Sequence, residues 1–123
     1  MAAAAVTGGD VRILDTRAEH ITPVIPVFEQ AGCKVDCGEN SVHISAPVRL
    51  RSVQTVRTMP YPGFPTDSQA AVMAMLSVAH GTSVMIENIF ENRYRHVREL
   101  CRLGADIMTE GKVAVIKGVE TLT

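Results

Sequence analysis

The stretch Ala70-Ala-Val-Met-Ala-Met-Leu-Ser-Val-Ala79 decides the fold. Its apolar side chains fall at every angle around a helix, so a helix formed here has no polar face to present to solvent. A helix that is apolar all round in a protein without membrane spans must be enclosed by other elements. We therefore predict an inside-out α/β domain of barrel type, with helices inside and sheets outside, rather than a doubly wound fold.

The residues around this helix predict a unit of six elements. Thr66-Asp-Ser-Gln69 has the spacing of a capping box, which places a helix start at Thr66, and Gly81 is a typical helix stop. The other predicted elements are a strand at Val53–Thr58, a strand at Ser83–Asn88, a helix at Asn92–Leu103, and strands at Ala105–Thr109 and Lys112–Lys117. The unit therefore reads βαβαββ.

An incomplete copy of this unit precedes it, with an offset of about 70 residues. Ala4-Ala-Val-Thr-Gly-Gly9 corresponds to Leu76-Ser-Val-Ala-His-Gly81. The first copy is predicted to contain a helix end at Ala2–Thr7, a strand at Asp10–Leu14, a helix near Ala18–Ala31, and strands at Lys34–Cys37 and Val42–Ser45. We predict a truncated unit over residues 1–49 and a complete unit over residues 50–123, which is about one and a half repeats.

Composition and charge narrow the possible partners. The chain has 123 residues, enough for one domain or part of one, and its formal charge of −1 provides no field to attract nucleic acid or an anionic membrane. No apolar run approaches the length of a membrane span. Three cysteines without a secretory signal fit a reducing cytosol, so a cytoplasmic protein is expected. The cysteines and histidines lack the spacing of a metal site, and no metal or cofactor is predicted.

Three strings of the sequence resemble those of one family. They are Thr58-Met-Pro-Tyr-Pro-Gly-Phe-Pro-Thr-Asp-Ser-Gln69, Ile89-Phe-Glu-Asn-Arg93, and His96-Val-Arg-Glu-Leu100 followed by Leu103-Gly-Ala-Asp106. In their combined spacing, and along essentially the whole chain, they are similar to the UDP-N-acetylglucosamine 1-carboxyvinyltransferases, also called UDP-N-acetylglucosamine enolpyruvyl transferases. The resemblance implies the enolpyruvyl transferase fold, and it makes this chain a fragment, part of one domain of a longer two-domain parent.

The same resemblance implies an activity. Enzymes of this family transfer the enolpyruvyl group of phosphoenolpyruvate to the 3-hydroxyl of UDP-N-acetylglucosamine, in the first committed step of peptidoglycan synthesis. The cysteine loop and several phosphoenolpyruvate-binding residues of the family have no counterpart here, so the fragment alone is expected to be inactive. Cys33 does not replace that cysteine, because it occupies the place of Ala105 in the second copy, where a small packing residue fits.

Four residues match the family's substrate site. Asp67 matches the aspartate that contacts the 3-hydroxyl and is proposed to accept its proton. Ile89 matches a position whose main chain binds the amino sugar, and Phe90 and Arg93 match neighbours at the domain cleft. From its own position, Asp67 lies at a helix start that favours a carboxylate, so we expect it to orient the hydroxyl first and to remove its proton second.

Arg93 admits two interpretations. At the start of a helix its charge opposes the helix dipole, so an acidic side chain or an anionic ligand should lie nearby. The alternative is that it belongs to a solvated helix face, together with Arg95, Arg98 and Arg102.

Two other functions are compatible with the sequence of the chain. It could be a non-catalytic binding or scaffold module that reuses the repeat, or part of an enolpyruvyl transferase for another acceptor. A cut inside a repeat is expected to expose apolar surface and a strand edge, which would favour self-association.

Overall fold

The computed structural model describes residues 1–123 and contains two β-sheets with helices packed between them. Its helices and strands are α1 (Ala2–Val6), β1 (Asp10–Leu14), α2 (Ile25–Gln30), β2 (Lys34–Cys37), β3 (Ser41–Ser45), β4 (Thr55–Arg57), α3 (Gln69–Leu76), β5 (Thr82–Ile86), α4 (Arg95–Arg102), β6 (Asp106–Glu110) and β7 (Val113–Lys117). Short 3-10 helices cover Ala18–His20 and Thr66–Ser68. None of the helices is long and apolar enough to cross a membrane.

The two sheets have the same internal strand order. The first sheet is β1-β3-β2 and is antiparallel throughout. The second is β4-β5-β7-β6, in which β4 pairs with β5 in parallel and the other pairs are antiparallel. The order β5-β7-β6 repeats the order β1-β3-β2, as expected for two copies of one unit. The division into units at residues 49 and 50 stays a prediction.

Helix α3 lies at the centre, as its apolar sequence predicts, although two alanines of its first turn are exposed. It packs against α1 and β7, and α1 in turn packs against β3 of the other sheet. Met73, Met75 and Leu76 are completely buried. One cluster of buried apolar side chains includes Ile44 of the first sheet and Ile116 of the second. The predicted inside-out arrangement is therefore confirmed, and a single core joins both sheets.

Several predicted boundaries were wrong. The helix predicted to run from Thr66 to Gly81 ends at Leu76, and the helix predicted from Asn92 begins at Arg95. The helix near Ala18–Ala31 is reduced to the six residues of α2, with Pro26 in its first turn. Proline in the first turn leaves no hydrogen bond unmade, whereas a second proline at position 23 would interrupt a longer helix.

The cysteines follow the expectations only in part. Cys33 and its repeat counterpart Ala105 are both buried. Each follows a glycine with positive φ, Gly32 at 102° and Gly104 at 99°, a conformation that glycine adopts without a steric cost. The spacing of Val97, Leu100 and Cys101 predicts one apolar helix face, but Cys101 is exposed. The packing role deduced for Cys33 from the repeat therefore agrees with its surroundings.

Candidate functional site

Asp67 lies in the 3-10 helix Thr66–Ser68, which leads directly into α3. Its side chain is 91% exposed, so the carboxylate is available to a ligand. The predicted capping box is wrong, because neither Thr66 nor Gln69 caps this helix start. Both side chains instead donate hydrogen bonds to Glu87, which leaves Asp67 facing solvent between two anchored neighbours.

Arg93 is the ionic partner of Asp67. Its Nη2 atom lies 3.3 Å from Asp67 Oδ1, and its guanidinium carbon lies 5.0 Å from the centre of the Phe90 ring. The residue precedes α4 rather than opening it, so the expected conflict with the helix dipole does not arise. An exposed ion pair of this kind contributes only about 0–1 kcal/mol to stability. The contact therefore orients the two side chains more than it stabilises the fold.

Ile89 and Phe90 form the loop that follows β5. The Ile89 amide donates to Glu87 Oε2 over 3.0 Å, and the Phe90 amide donates to the same atom over 3.3 Å. No group of the chain donates to the Ile89 carbonyl oxygen. Because the amide is already used, the carbonyl is the main-chain group of Ile89 that remains available to a ligand. Phe90 is 56% exposed beside it.

No motif in the sequence points to Glu87, yet it joins the parts of this site. The residue is 2% exposed. Its Oε1 atom accepts from Thr66 Oγ1 at 2.8 Å and Gln69 Nε2 at 3.0 Å, and its Oε2 atom accepts from Thr58 Oγ1 at 2.8 Å as well as from the two loop amides. The alternation along β5 could have revealed it. Glu87 is on the same face as the buried residues Ser83 and Met85, which puts an acid at an inward position.

Opposing effects set the pKa of Glu87. Desolvation of the buried carboxylate is the largest and acts to raise it. The hydrogen bonds from Thr66, Thr58 and the amides of Ile89 and Phe90 act together to lower it, and the pKa ends below its ordinary value of 4.5. Hydrogen bonds to the charged form stabilise that form. Glu87 is therefore ionised at neutral pH although no cationic side chain pairs with it.

This shift predicts an acid-sensitive component of stability. Because the pKa is lower in the folded chain, the unfolded chain binds more protons, and the free energy of unfolding should fall as the pH drops from about 4.5 through the folded pKa. The Glu87→Gln variant should lose this component, and Glu99→Gln, which removes an exposed carboxylate, should retain it. Urea unfolding at a series of pH values measures the slope. Equal slopes for wild type and Glu87→Gln would contradict the assignment.

A cavity of about 930 Å³ lies between the loop at residues 87–95 and the turn that joins β6 to β7. Ile89, Phe90 and Arg93 line it, so the structure brings three of the four predicted site residues together. Asp67 does not line this cavity, but its ion-pair partner Arg93 does. The hydroxyl of Tyr94 donates toward the Lys112 carbonyl at 2.6 Å, which ties the loop to the turn. Burial is the main cause that raises the pKa of Tyr94 to about 12, so this hydroxyl stays protonated.

The chain is similar in sequence to one family model and to named enzymes. A family model described as EPSP synthase (3-phosphoshikimate 1-carboxyvinyltransferase) matches residues 1–123. The UDP-N-acetylglucosamine 1-carboxyvinyltransferase of Geotalea daltonii is 50% identical over 123 residues, covering 100% of this chain and 29% of that protein. The enzyme of the same name from Psychrobacter arcticus is also 50% identical, with the same coverage. The chain thus spans about 29% of the length of these relatives.

A solved structure shares the fold. The enolpyruvyl transferase NikO from Streptomyces tendae superposes with a TM-score of 0.82, covering 95% of this chain and 28% of that chain. At 22% sequence identity the likeness concerns the fold alone. It agrees with the two sheets and enclosed helices described above.

Proposed function

Because the chain belongs to the EPSP synthase (3-phosphoshikimate 1-carboxyvinyltransferase) family, we propose that it forms part of an enzyme that transfers the enolpyruvyl group of phosphoenolpyruvate to the 3-hydroxyl of UDP-N-acetylglucosamine. The family description names a different acceptor, 3-phosphoshikimate. The curated relatives favour UDP-N-acetylglucosamine, since eight of them carry that name at 42–50% identity over nearly the whole chain.

The observation that carries the proposal is the exposed carboxylate of Asp67, held 3.3 Å from Arg93. In the transfer, the sugar oxygen forms a bond to the enolpyruvyl carbon, the bond from that carbon to the phosphate oxygen breaks, and the hydroxyl proton must leave. A carboxylate that accepts a hydrogen bond from the hydroxyl orients its oxygen and can take up the proton. The ion pair with Arg93 holds the Oδ1 atom of Asp67 and so directs the carboxylate.

The loop after β5 supplies the complementary contact to the sugar. The unused carbonyl oxygen of Ile89 can accept the N–H of the acetamido group, which distinguishes this sugar from one without an amide. Phe90 offers an exposed apolar ring next to it. The side chain of Arg93 is 41% exposed, and the part that does not contact Asp67 can face an anionic group of the substrates.

This chain would then supply one wall of the site. The proposal assigns the phosphoenolpyruvate-binding residues to the remainder of the enzyme, so the 123 residues alone should be inactive. We also propose a truncated unit over residues 1–49 and a complete one over residues 50–123. The complete enzyme would be cytoplasmic and would act in cell wall synthesis, with consequences for cell shape and division. The isolated chain is expected to self-associate.

An acceptor assay tests the proposal. The complete enzyme that contains this sequence is incubated with phosphoenolpyruvate and either UDP-N-acetylglucosamine, shikimate 3-phosphate or no acceptor, and released phosphate is measured. We expect phosphate release only in the reaction that contains UDP-N-acetylglucosamine as the acceptor. Release only with shikimate 3-phosphate would assign the site to the other acceptor, and no release with any acceptor would favour a non-catalytic module.

A further inference from the structure

Glu87 receives hydrogen bonds from three separate segments that meet at the proposed site. Thr58 follows β4, Thr66 and Gln69 flank Asp67, and the two loop amides come after β5. All five donors are uncharged, and no lysine, arginine or histidine pairs with the carboxylate. The negative charge is thus held in the interior by neutral dipoles alone.

A buried carboxylate is a costly way to fill this position. An apolar side chain of similar volume would avoid the desolvation of a charge, and replacing buried ionic groups by apolar ones is often neutral or stabilising. What the carboxylate adds is geometry, because a fully satisfied polar network permits few alternative arrangements. Each oxygen serves one side: Oε1 holds the residues flanking Asp67, and Oε2 holds the amides of Ile89 and Phe90.

We propose that Glu87 is a positioning residue of the transferase site, which fixes the Asp67 carboxylate relative to the Ile89 carbonyl without touching substrate itself. This inference rests on the proposed function. The Asp67 turn and the Ile89 loop are joined at Glu87 by both of its oxygens. A change there therefore alters the distance between the groups that bind the 3-hydroxyl and the neighbouring acetamido group of the acceptor sugar. A misplacement of about 1 Å can cost a reaction on the order of 100-fold in rate.

The Glu87→Gln variant should disturb the contacts on the Asp67 side and preserve those on the Ile89 side. A glutamine has one accepting oxygen, and the amides of Ile89 and Phe90 cannot reverse their direction, so that oxygen should remain with them. Its NH₂ group would then face Thr66 and Gln69, which now donate to Oε1. The Asp67 side should therefore loosen while the Ile89 loop keeps its place.

A double-mutant cycle in the complete enzyme tests this coupling. We expect Glu87→Gln to lower kcat about tenfold to 100-fold per folded enzyme when Asp67 is present, and less than about twofold when Asp67 is already asparagine. Ser83→Ala is the matched control, since Ser83 is also buried on β5, accepts from the Val53 amide, and lies four residues before Glu87. It should change stability and leave kcat per folded enzyme alone in both backgrounds.

Equal losses from Glu87→Gln with and without Asp67 would show a merely structural role and overturn the proposal. If Glu87→Gln fails to fold, Thr66→Val replaces it in the cycle, because it removes only one donor to Oε1. A wild-type enzyme inactive with UDP-N-acetylglucosamine would refute the proposed function instead. The positioning role is then judged by NMR on this chain: Glu87→Gln should shift the amide signal of Asp67, and an unchanged Asp67 signal would overturn the proposal.

Discussion

Replacing Asp67 by asparagine should lower kcat of the complete transferase by about 100-fold to 10,000-fold, the range found for removal of a general acid or base. Asparagine keeps the size and one accepting oxygen, so it can still receive a hydrogen bond from the acceptor hydroxyl. It cannot take up the proton, and it loses the charge that pairs with Arg93. Stability should change little, because the side chain is 91% exposed. Steady-state kinetics with UDP-N-acetylglucosamine and thermal unfolding measure the two effects.

Asp106→Asn is the matched control for this prediction. Asp106 is an exposed aspartate at the start of β6 that forms no ion pair, so its variant should retain wild-type kcat. Turnover by Asp67→Asn near that of wild type would remove Asp67 from the chemistry. A variant that keeps about a tenth of kcat would assign most of the effect of Asp67 to orientation of the hydroxyl, since orientation survives in the amide.

The fold was predictable because two independent features of the sequence agree. The all-round apolar stretch that became α3 requires enclosure, and the repeat offset requires two sheets of the same strand order. Each feature extends over many residues, so errors at single positions do not change the conclusion. Helix ends were less predictable, because they depend on local competition: α3 stops at Leu76 although Gly81 is the stronger sequence signal.

The identity of the site residues was predictable, but their contacts with one another were not. Asp67, Ile89, Phe90 and Arg93 came from the family resemblance, and nothing in their spacing shows that Asp67 and Arg93 touch across 26 positions. Thr66 and Gln69 have capping-box spacing, but a buried carboxylate 18 to 21 positions away offers them a better partner. Tertiary contacts of this kind override local rules because a buried charge must be satisfied.

Replacing Leu76 by alanine should lower the free energy of unfolding of this chain by about 2–5 kcal/mol. The side chain is completely buried, in the last turn of α3, where that helix is enclosed between the two sheets. The loss combines the transfer free energy of the deleted carbons with the cavity that remains, since helices held on both sides cannot collapse fully into the gap. Urea unfolding at fixed protein concentration, with m-values compared, measures the change.

Leu103→Ala makes the same chemical change at the end of another helix, and it tests whether enclosure is the cause. Leu103 follows α4 and is 51% exposed, so its variant should remain within about 0.5 kcal/mol of wild type. The contrast follows from the inside-out arrangement, in which the apolar helix is central and the polar α4 faces solvent. A loss for Leu76→Ala as small as that for Leu103→Ala would mean that α3 is not enclosed in solution, and the packing deduced from its apolar sequence would be wrong.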